Sequence, residues 1–205
     1  MKYNTLATQE STNAVVTALQ NKGVDVQIVE TKIQALDAVK KIIPQGASVM
    51  NGSSVTLEQI GYLEYLDDGT HGWIDLHKPV AAESDPAKRA ALRKQALTSD
   101  YYLGSVHALT QTGEYIIGSN TGSQIPHVAF TSQNLIFVVG TQKIVATLSD
   151  GMKRLEEYVV PLEDDHMKRL YNSHTQLNKI LISKGEAPML KRQIHFILVK
   201  EPLGF

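Results

Sequence analysis

Apolar residues recur along this chain with two periods, and the switches between them mark out the elements. From Thr8 to Asn21, Ala14, Val15, Ala18 and Leu19 share one face, the stripe of an amphipathic helix. Gly23 stands where a left-handed cap would end it. Val24 to Val29 alternates apolar with polar and predicts a strand. Ile33 to Ile43 returns to helical spacing through Ala35, Leu36, Val39 and Ile43, until Pro44. A short apolar run, Ala47 to Met50, leads into Asn51-Gly52-Ser53-Ser54, and Thr56 to Tyr65 is helical again through Leu57, Ile60 and Leu63. Strand, small-residue turn and helix in that order predict an α/β crossover unit.

Asp67 to Asp85 mixes Gly, His, Pro and the single Trp without a period, which predicts a loop. Pro86 opens a helix running to about Thr98 through Ala90, Leu92, Ala96 and Leu97. Strands are predicted at Tyr101 to Leu109, Glu114 to Gly118 and Leu135 to Gly140, with Gln111-Thr112-Gly113 as a tight connection between the first two. Asp150 to Val159 and Glu163 to Ser183 read as helices, the second on the stripe Met167, Leu170, Tyr171, His174, Leu177 and Leu181. Ile194 to Val199 is a closing strand. With no internal repeat and no Gly/Ser linker, residues 1–205 read as a single α/β domain, a mixed-sheet sandwich with helices on both faces.

Composition narrows the function classes. A chain of 205 residues is of a size for one core. Its 20 Lys+Arg against 21 Asp+Glu create no basic field, so nucleic acid is not an expected partner. Cysteine is absent, so the chain's own thiols cannot form a disulfide, a zinc site or an iron–sulfur cluster, and redox chemistry would need a bound cofactor or a partner protein. The first residues, MKYNTLATQESTNAVV, have no apolar leader core, and no stretch approaches the ~18 apolar residues of a membrane span. A cytoplasmic protein is expected.

Candidate chemistry gathers at the turns. Gly52, Ser53, Ser54 and Thr56 follow a predicted strand and open a predicted helix, where backbone N–H groups and hydroxyls can cradle a carboxylate or phosphate; capping of that helix is the plainer role for the same residues. The turn lacks the Lys of a P-loop and the glycines of a dinucleotide fingerprint, so no cofactor is assigned. Gly118-Ser119-Asn120-Thr121-Gly122-Ser123 and Gly140-Thr141-Gln142-Lys143 are further small-residue turns. Ligands of open α/β sheets bind outside the carboxyl ends of the strands, where these loops would meet and Lys143 would supply the counter-charge of an anion. Glu114, after Thr112 and Gly113, is the candidate catalytic carboxylate; His107 and His127 are candidate donors or acid–base groups. No histidine spacing matches a metal signature.

In its ordered segments the chain resembles the LUD-domain family of lactate-utilisation proteins, a fold similar to ribose-5-phosphate isomerase and coenzyme A transferases. The residues that carry the resemblance run from Ala38 to Leu66 and from Ser99 to Pro161, with the C-terminal KEPLGF. The resemblance implies a role in lactate or related hydroxy-acid utilisation with a small anionic ligand, beside partners that carry iron–sulfur clusters in a lactate-oxidation complex. It places the family's turn on Gly52, Ser53 and Thr56, its Thr-Gly-Glu on Thr112, Gly113 and Glu114, its second glycine on Gly122 and its lysine on Lys143. This chain has His107-Ala108 where members often show Asn-Ala, and Gly122-Ser123-Gln124 where many have Gly-Asn-Arg. A non-catalytic subunit supporting a redox partner and an isomerase-like or transferase-like enzyme using Glu114 are the alternative readings; catalysis and simple binding both stay open.

Overall fold

Runs such as Leu135–Val139 and Phe196–Val199 carry no polar residue on either side, the composition of parallel strands covered on both faces. In the computed structural model they form the middle of such a sheet. The structure describes residues 3–205; Met1 and Lys2, the first two residues of the N-terminal stretch read above, lie outside the described residues. In chain order come helix α1 (Gln9–Gln20), β1 (Asp25–Val29), α2 (Lys32–Ile42), β2 (Ser48–Asn51), α3 (Val55–Gln59), α4 (Tyr62–Asp68) and β3 (Ile74–Asp75). They are followed by α5 (His77–Ala82), α6 (Pro86–Gln95), β4 (Tyr101–Gly104), β5 (Ala108–Thr110), β6 (Tyr115–Ser119) and β7 (Asn134–Gly140). The last are β8 (Ile144–Val145), α7 (Leu148–Arg154), α8 (Val160–Tyr171), β9 (Lys179–Ser183) and β10 (Gln193–Val199).

Six strands pair in the order β1-β10-β7-β4-β2-β3, all parallel. A second, four-stranded sheet has the order β8-β5-β6-β9, with β5 parallel to β8 and antiparallel to β6. The fold is therefore α/β, with one all-parallel sheet and one mixed sheet. Alternation along β7 shows how the layers stack. Ile136 and Val138 face the cluster built by Ala35, Val39, Leu57 and Tyr62 of α2, α3 and α4. Leu135, Phe137 and Val139 face the opposite cluster, with Val15 and Leu19 of α1 and Leu109, Tyr115 and Ile117 of the second sheet. The far side of that second sheet, Ala108 and Ile116, is covered by Leu155 and Val159. Among the described residues no helix is long and apolar enough to cross a membrane.

Several predicted elements differ, each for a physical reason. The helix predicted over Thr56 to Tyr65 breaks at Gly61, with a φ of 78°, into α3 and α4, and the loop predicted over Asp67 to Asp85 holds helix α5. Tyr101 to Leu109 is not one strand: β4 ends at Gly104 in the first sheet and β5 begins at Ala108 in the second, so the chain changes sheets through Ser105–His107. The same loop also holds the edge strand β3, which pairs with β2 over two residues, too short to show a period. The helix predicted from Asp150 begins at Leu148, because Thr147 and Asp150 form a capping box. It continues through a π-turn at Leu155–Val159 into α8, and that widened turn accommodates Pro161, which has no N–H to donate. The helix predicted to reach Ser183 stops at Asn172, which takes a left-handed φ of 49°. Lys179–Ser183 instead pairs antiparallel with β6.

A second π-turn, His127–Thr131, is held by one buried side chain. Arg192 donates to the carbonyls of Ser132 (2.9 Å), Val128 (3.0 Å) and His127 (2.8 Å), and pairs with Glu186 at 2.6 Å. Replacing it strands three carbonyls and a carboxylate. Arg192→Ala is expected to cost about 3–5 kcal/mol in urea unfolding; a loss below about 1 kcal/mol would mean that water replaces the guanidinium there.

Candidate functional site

Because its strands run parallel, the six-stranded sheet presents all their carboxyl ends at one edge, and four chain segments converge there. After β2, the turn Gly52–Ser54 enters α3, with Ser54 Oγ accepting from the Leu57 N–H at 3.4 Å. After β7, the single 3-10 turn Thr141–Lys143 folds the lysine back over the edge. Ser105 follows β4, and the stretch from Glu201 onward follows β10. At their meeting point Lys143 is only 2% exposed, and its Nζ donates to Thr56 Oγ1 (3.0 Å) and Ser105 Oγ (3.1 Å). The Leu203 carbonyl lies over the cluster, accepting from Gln142 Nε2 at 2.8 Å and Thr56 Oγ1 at 3.4 Å. Gly204 has a φ of 62°, and a Cβ there would sit 2.3 Å from Thr56 Oγ1 and 3.0 Å from Lys143 Nζ. Only glycine fits that approach.

The electrostatics of this cluster are one-sided. Among the described residues no carboxylate pairs with Lys143. Burial, and then the Arg154 guanidinium, hold its amine well below the ordinary lysine range. Arg154 is itself fully buried, donates to the His107 carbonyl at 2.5 Å, and is pulled by burial to about 10. His107 accepts the Gly118 N–H on Nδ1 at 2.8 Å; burial first, then Lys143 and Arg154, push it down to about 3, so it stays neutral. The same edge carries three buried polar atoms without a partner among the described residues: Asn51 Oδ1, Tyr102 OH and Gln142 Oε1. A buried amine without an anion and a set of unpaired polar atoms are features that a bound ligand would satisfy.

Thr112, Gly113 and Glu114 form a separate cluster. Glu114 accepts from Thr110 Oγ1 at 2.5 Å and from Thr112 Oγ1, and Lys22 of α1 lies 4.0 Å away. Hydrogen bonds from Thr110 and Thr112 hold its carboxyl down to about 2, which leaves it a weak proton acceptor at neutral pH. Gly113, at a φ of 83°, packs on Ala18, and a groove of about 560 Å³ along α1 borders Thr112. Among the described residues Glu114 makes no hydrogen bond or ion pair with the Lys143 cluster.

The structure thus brings Thr56 and Lys143 into contact, with Gly52 and Ser54 in the turn that leads into Thr56, and leaves Thr112, Gly113 and Glu114 against α1. Ser53 is exposed at the rim. Gly122 and Ser123 lie in the turn after β6, where Gly122 N–H donates to Ser119 Oγ at 2.9 Å and Thr121 Oγ1 to Ser123 Oγ at 3.2 Å. Gln124 links that turn to the first: its Nε2 donates to the Gly118 carbonyl at 3.1 Å, and its Oε1 would lie 3.4 Å from a Cβ on Gly52. His127 stacks on Tyr102 at 4.5 Å and bonds Ser132 at 2.9 Å, a buried structural role; burial takes it to about 4. Ser105, Tyr102, Gln142 and the Leu203–Gly204 segment were not selected as site residues. Gln142 stands in the turn after the strand ending at Gly140, whereas Ser105 is hidden inside the strand predicted over Tyr101 to Leu109; nothing local marks Tyr102 or Leu203.

A family model for the LUD domain matches residues 13–180. The crystal structure of a DUF162 family protein from Deinococcus radiodurans is similar over 95% of this chain and 99% of that one, with a TM-score of 0.57 at 13% sequence identity; that likeness shows the fold. No curated protein matches the chain.

Two outcomes follow from the two clusters. Lys143→Met should raise the melting temperature, because the native amine is desolvated without a counter-charge; a lower melting temperature would show that its two hydroxyl bonds outweigh that cost. Glu114 titrates at about 2 in the fold against an ordinary 4.5, so its contribution is complete above the ordinary value and disappears as pH falls towards 2. Glu114→Gln should cost on the order of 2 kcal/mol at neutral pH and progressively less in acid; an equal loss at both ends would assign the effect to packing.

Proposed function

This chain belongs to the LUD-domain family, and from that premise we propose that it serves the utilisation of lactate or a related hydroxy acid by binding a small carboxylate in the crevice at Lys143. One observation carries the reading: the family's lysine is buried at the carboxyl edge of the parallel sheet with hydroxyls for partners and no anion. A desolvated amine is costly to keep in a fold, and a ligand carboxylate supplies the charge that the protein withholds. Thr56, Ser105 and the Gly52–Ser54 turn then orient the ligand's oxygens. Gln124, where many members have Arg, stands beside Gly52 and adds an amide in place of a second positive charge. Glu114, Thr112 and Gly113 act in this reading on the position of α1 and the hairpin rather than on the ligand, and Gly122 and Ser123 form the rim. The chain has no cysteine, so electron transfer during hydroxy-acid oxidation is assigned to a partner protein carrying iron–sulfur clusters.

Binding is coupled to a proton. The free amine is held low by burial; a carboxylate beside it raises its proton affinity, so complex formation takes up a proton and weakens as pH rises. Millimolar lactate or pyruvate should raise the melting temperature by a few degrees through mass action, more at mildly acidic than at alkaline pH, and Lys143→Ala should abolish the shift. Shifts that survive in Lys143→Ala, or that grow with pH, would refute this site.

A further inference from the structure

The surroundings of the Lys143 nitrogen suit bond formation as well as charge pairing. Its hydrogen-bonding partners, Thr56 Oγ1 and Ser105 Oγ, are neutral oxygens. The ionisable groups nearest it are basic: Arg154 of α7, which donates to the His107 carbonyl, and the His107 ring of the segment entering β5. No acid from α3, β7 or the segment after β10 pairs with it among the described residues. Burial beside a second cation is the arrangement by which proteins keep an amine unprotonated and nucleophilic. Beside this amine the fold already holds a carbonyl group: the Leu203 C=O, fixed by Gln142 Nε2 and Thr56 Oγ1, with Gly204 drawn against Nζ. Of the unpaired polar atoms at this edge, Tyr102 OH can donate to a further oxygen, whereas Gln142 Oε1 and Asn51 Oδ1 accept and suit a hydroxyl or water.

We propose that Lys143 is a nucleophilic amine that condenses reversibly with the carbonyl carbon of a small 2-oxo acid, the Leu203 carbonyl marking the oxygen position that the substrate takes when the Leu203–Gly204 segment lifts. This rests on the binding reading above and names the class of ligand it selects. The nitrogen lone pair forms the C–N bond as the C=O π bond breaks. A proton leaves nitrogen and reaches the new alkoxide through the Thr56 or Ser105 hydroxyl, giving a carbinolamine. The C–O bond then breaks, that oxygen leaves as water with one further proton, and the product is an imine. Amine and 2-oxo acid give imine and water, with no oxidant or reductant. Protonation of the imine leaves a cation facing the substrate's own carboxylate. A 2-hydroxy acid, which has no carbonyl at that carbon, binds without a bond.

The test is reductive trapping on the full-length chain. Pyruvate is added at neutral pH with borohydride, and the product is read by intact mass and peptide mapping, with lactate as the carbonyl-free control. The expected result is one reduced adduct per chain on the peptide containing Lys143, favoured roughly tenfold or more over exposed lysines such as Lys88 and Lys94, and none with lactate. Lys143→Arg should lose it with an unchanged circular dichroism spectrum. Gly204→Ala, whose Cβ pushes the covering segment away, should label faster. Adducts scattered over exposed lysines, or none at Lys143 in either the native chain or Gly204→Ala, overturn the amine chemistry. If pyruvate and lactate still raise the melting temperature in that case, the binding reading stands alone; if neither does, both fail.

Discussion

Burial of the central strands on both faces is the constraint from which the rest follows. Strands β7 and β10 are apolar throughout, so neither face of the sheet can meet water. Helices α2, α3 and α4 close one face. The other is too broad for α1 alone and is completed by the four-stranded sheet. A second sheet brings its own outer face, and the long helical segment from Leu148 to Tyr171 exists to cover it, packing Leu155 and Val159 on Ala108 and Ile116. Gly151 shows how close that approach is, since a Cβ there would lie 2.6 Å from Ile116 Cδ1.

The same constraint builds the Lys143 cluster. Parallel pairing sends every strand of the first sheet out at one edge, and the switch of the chain from β4 to β5 carries Ser105 and His107 across that edge between the sheets. Helix α7 then brings Arg154 beneath it, fully buried. The result is a region with a buried guanidinium, a buried amine whose charge is disfavoured and a neutral histidine. The stability withheld there is the usual mark of a site kept for binding or chemistry rather than for packing. Gly204 seats the last segment tightly on Thr56 and Lys143, and Gly140 lies beneath the Glu201–Leu203 backbone with no room for a side chain: its Cβ would fall 2.2 Å from Gln142 Oε1.

Much of this was legible in the sequence, and the failures have common causes. Short-range signals served well: the capping residue Ser54, the strand runs of β7 and β10, and the lysine placed just after a strand and a glycine. What could not be read was partnership at long range. Leu177 and Leu181 are four apart, so they satisfy a helical stripe, yet the pairing of Lys179–Ser183 with β6 decides the matter. Glu114 looked like a member of the ligand site because Thr-Gly-Glu sits in the family pattern; only the passage between sheets after Gly104 reveals that it belongs with α1. Leu203 and Gly204 reach Thr56 across 147 positions of sequence, and no periodicity encodes such a contact.

The two clusters also separate two ways in which a fold handles a charge. At Glu114, paired hydroxyls and Lys22 stabilise the ionised form, so the group anchors the hairpin to α1 and resists taking a proton. At Lys143, hydroxyls are again the partners, but the nearest charge is like-signed and the solvent is gone, so the ionised form is disfavoured. Hydroxyl partners in opposite electrostatic surroundings thus favour the ionised carboxylate and disfavour the ionised amine. A group whose charge is already satisfied has nothing to gain from a ligand, whereas one whose charge is withheld gains most from an arriving anion. The physical case for the crevice over the hairpin as the seat of function rests on that difference.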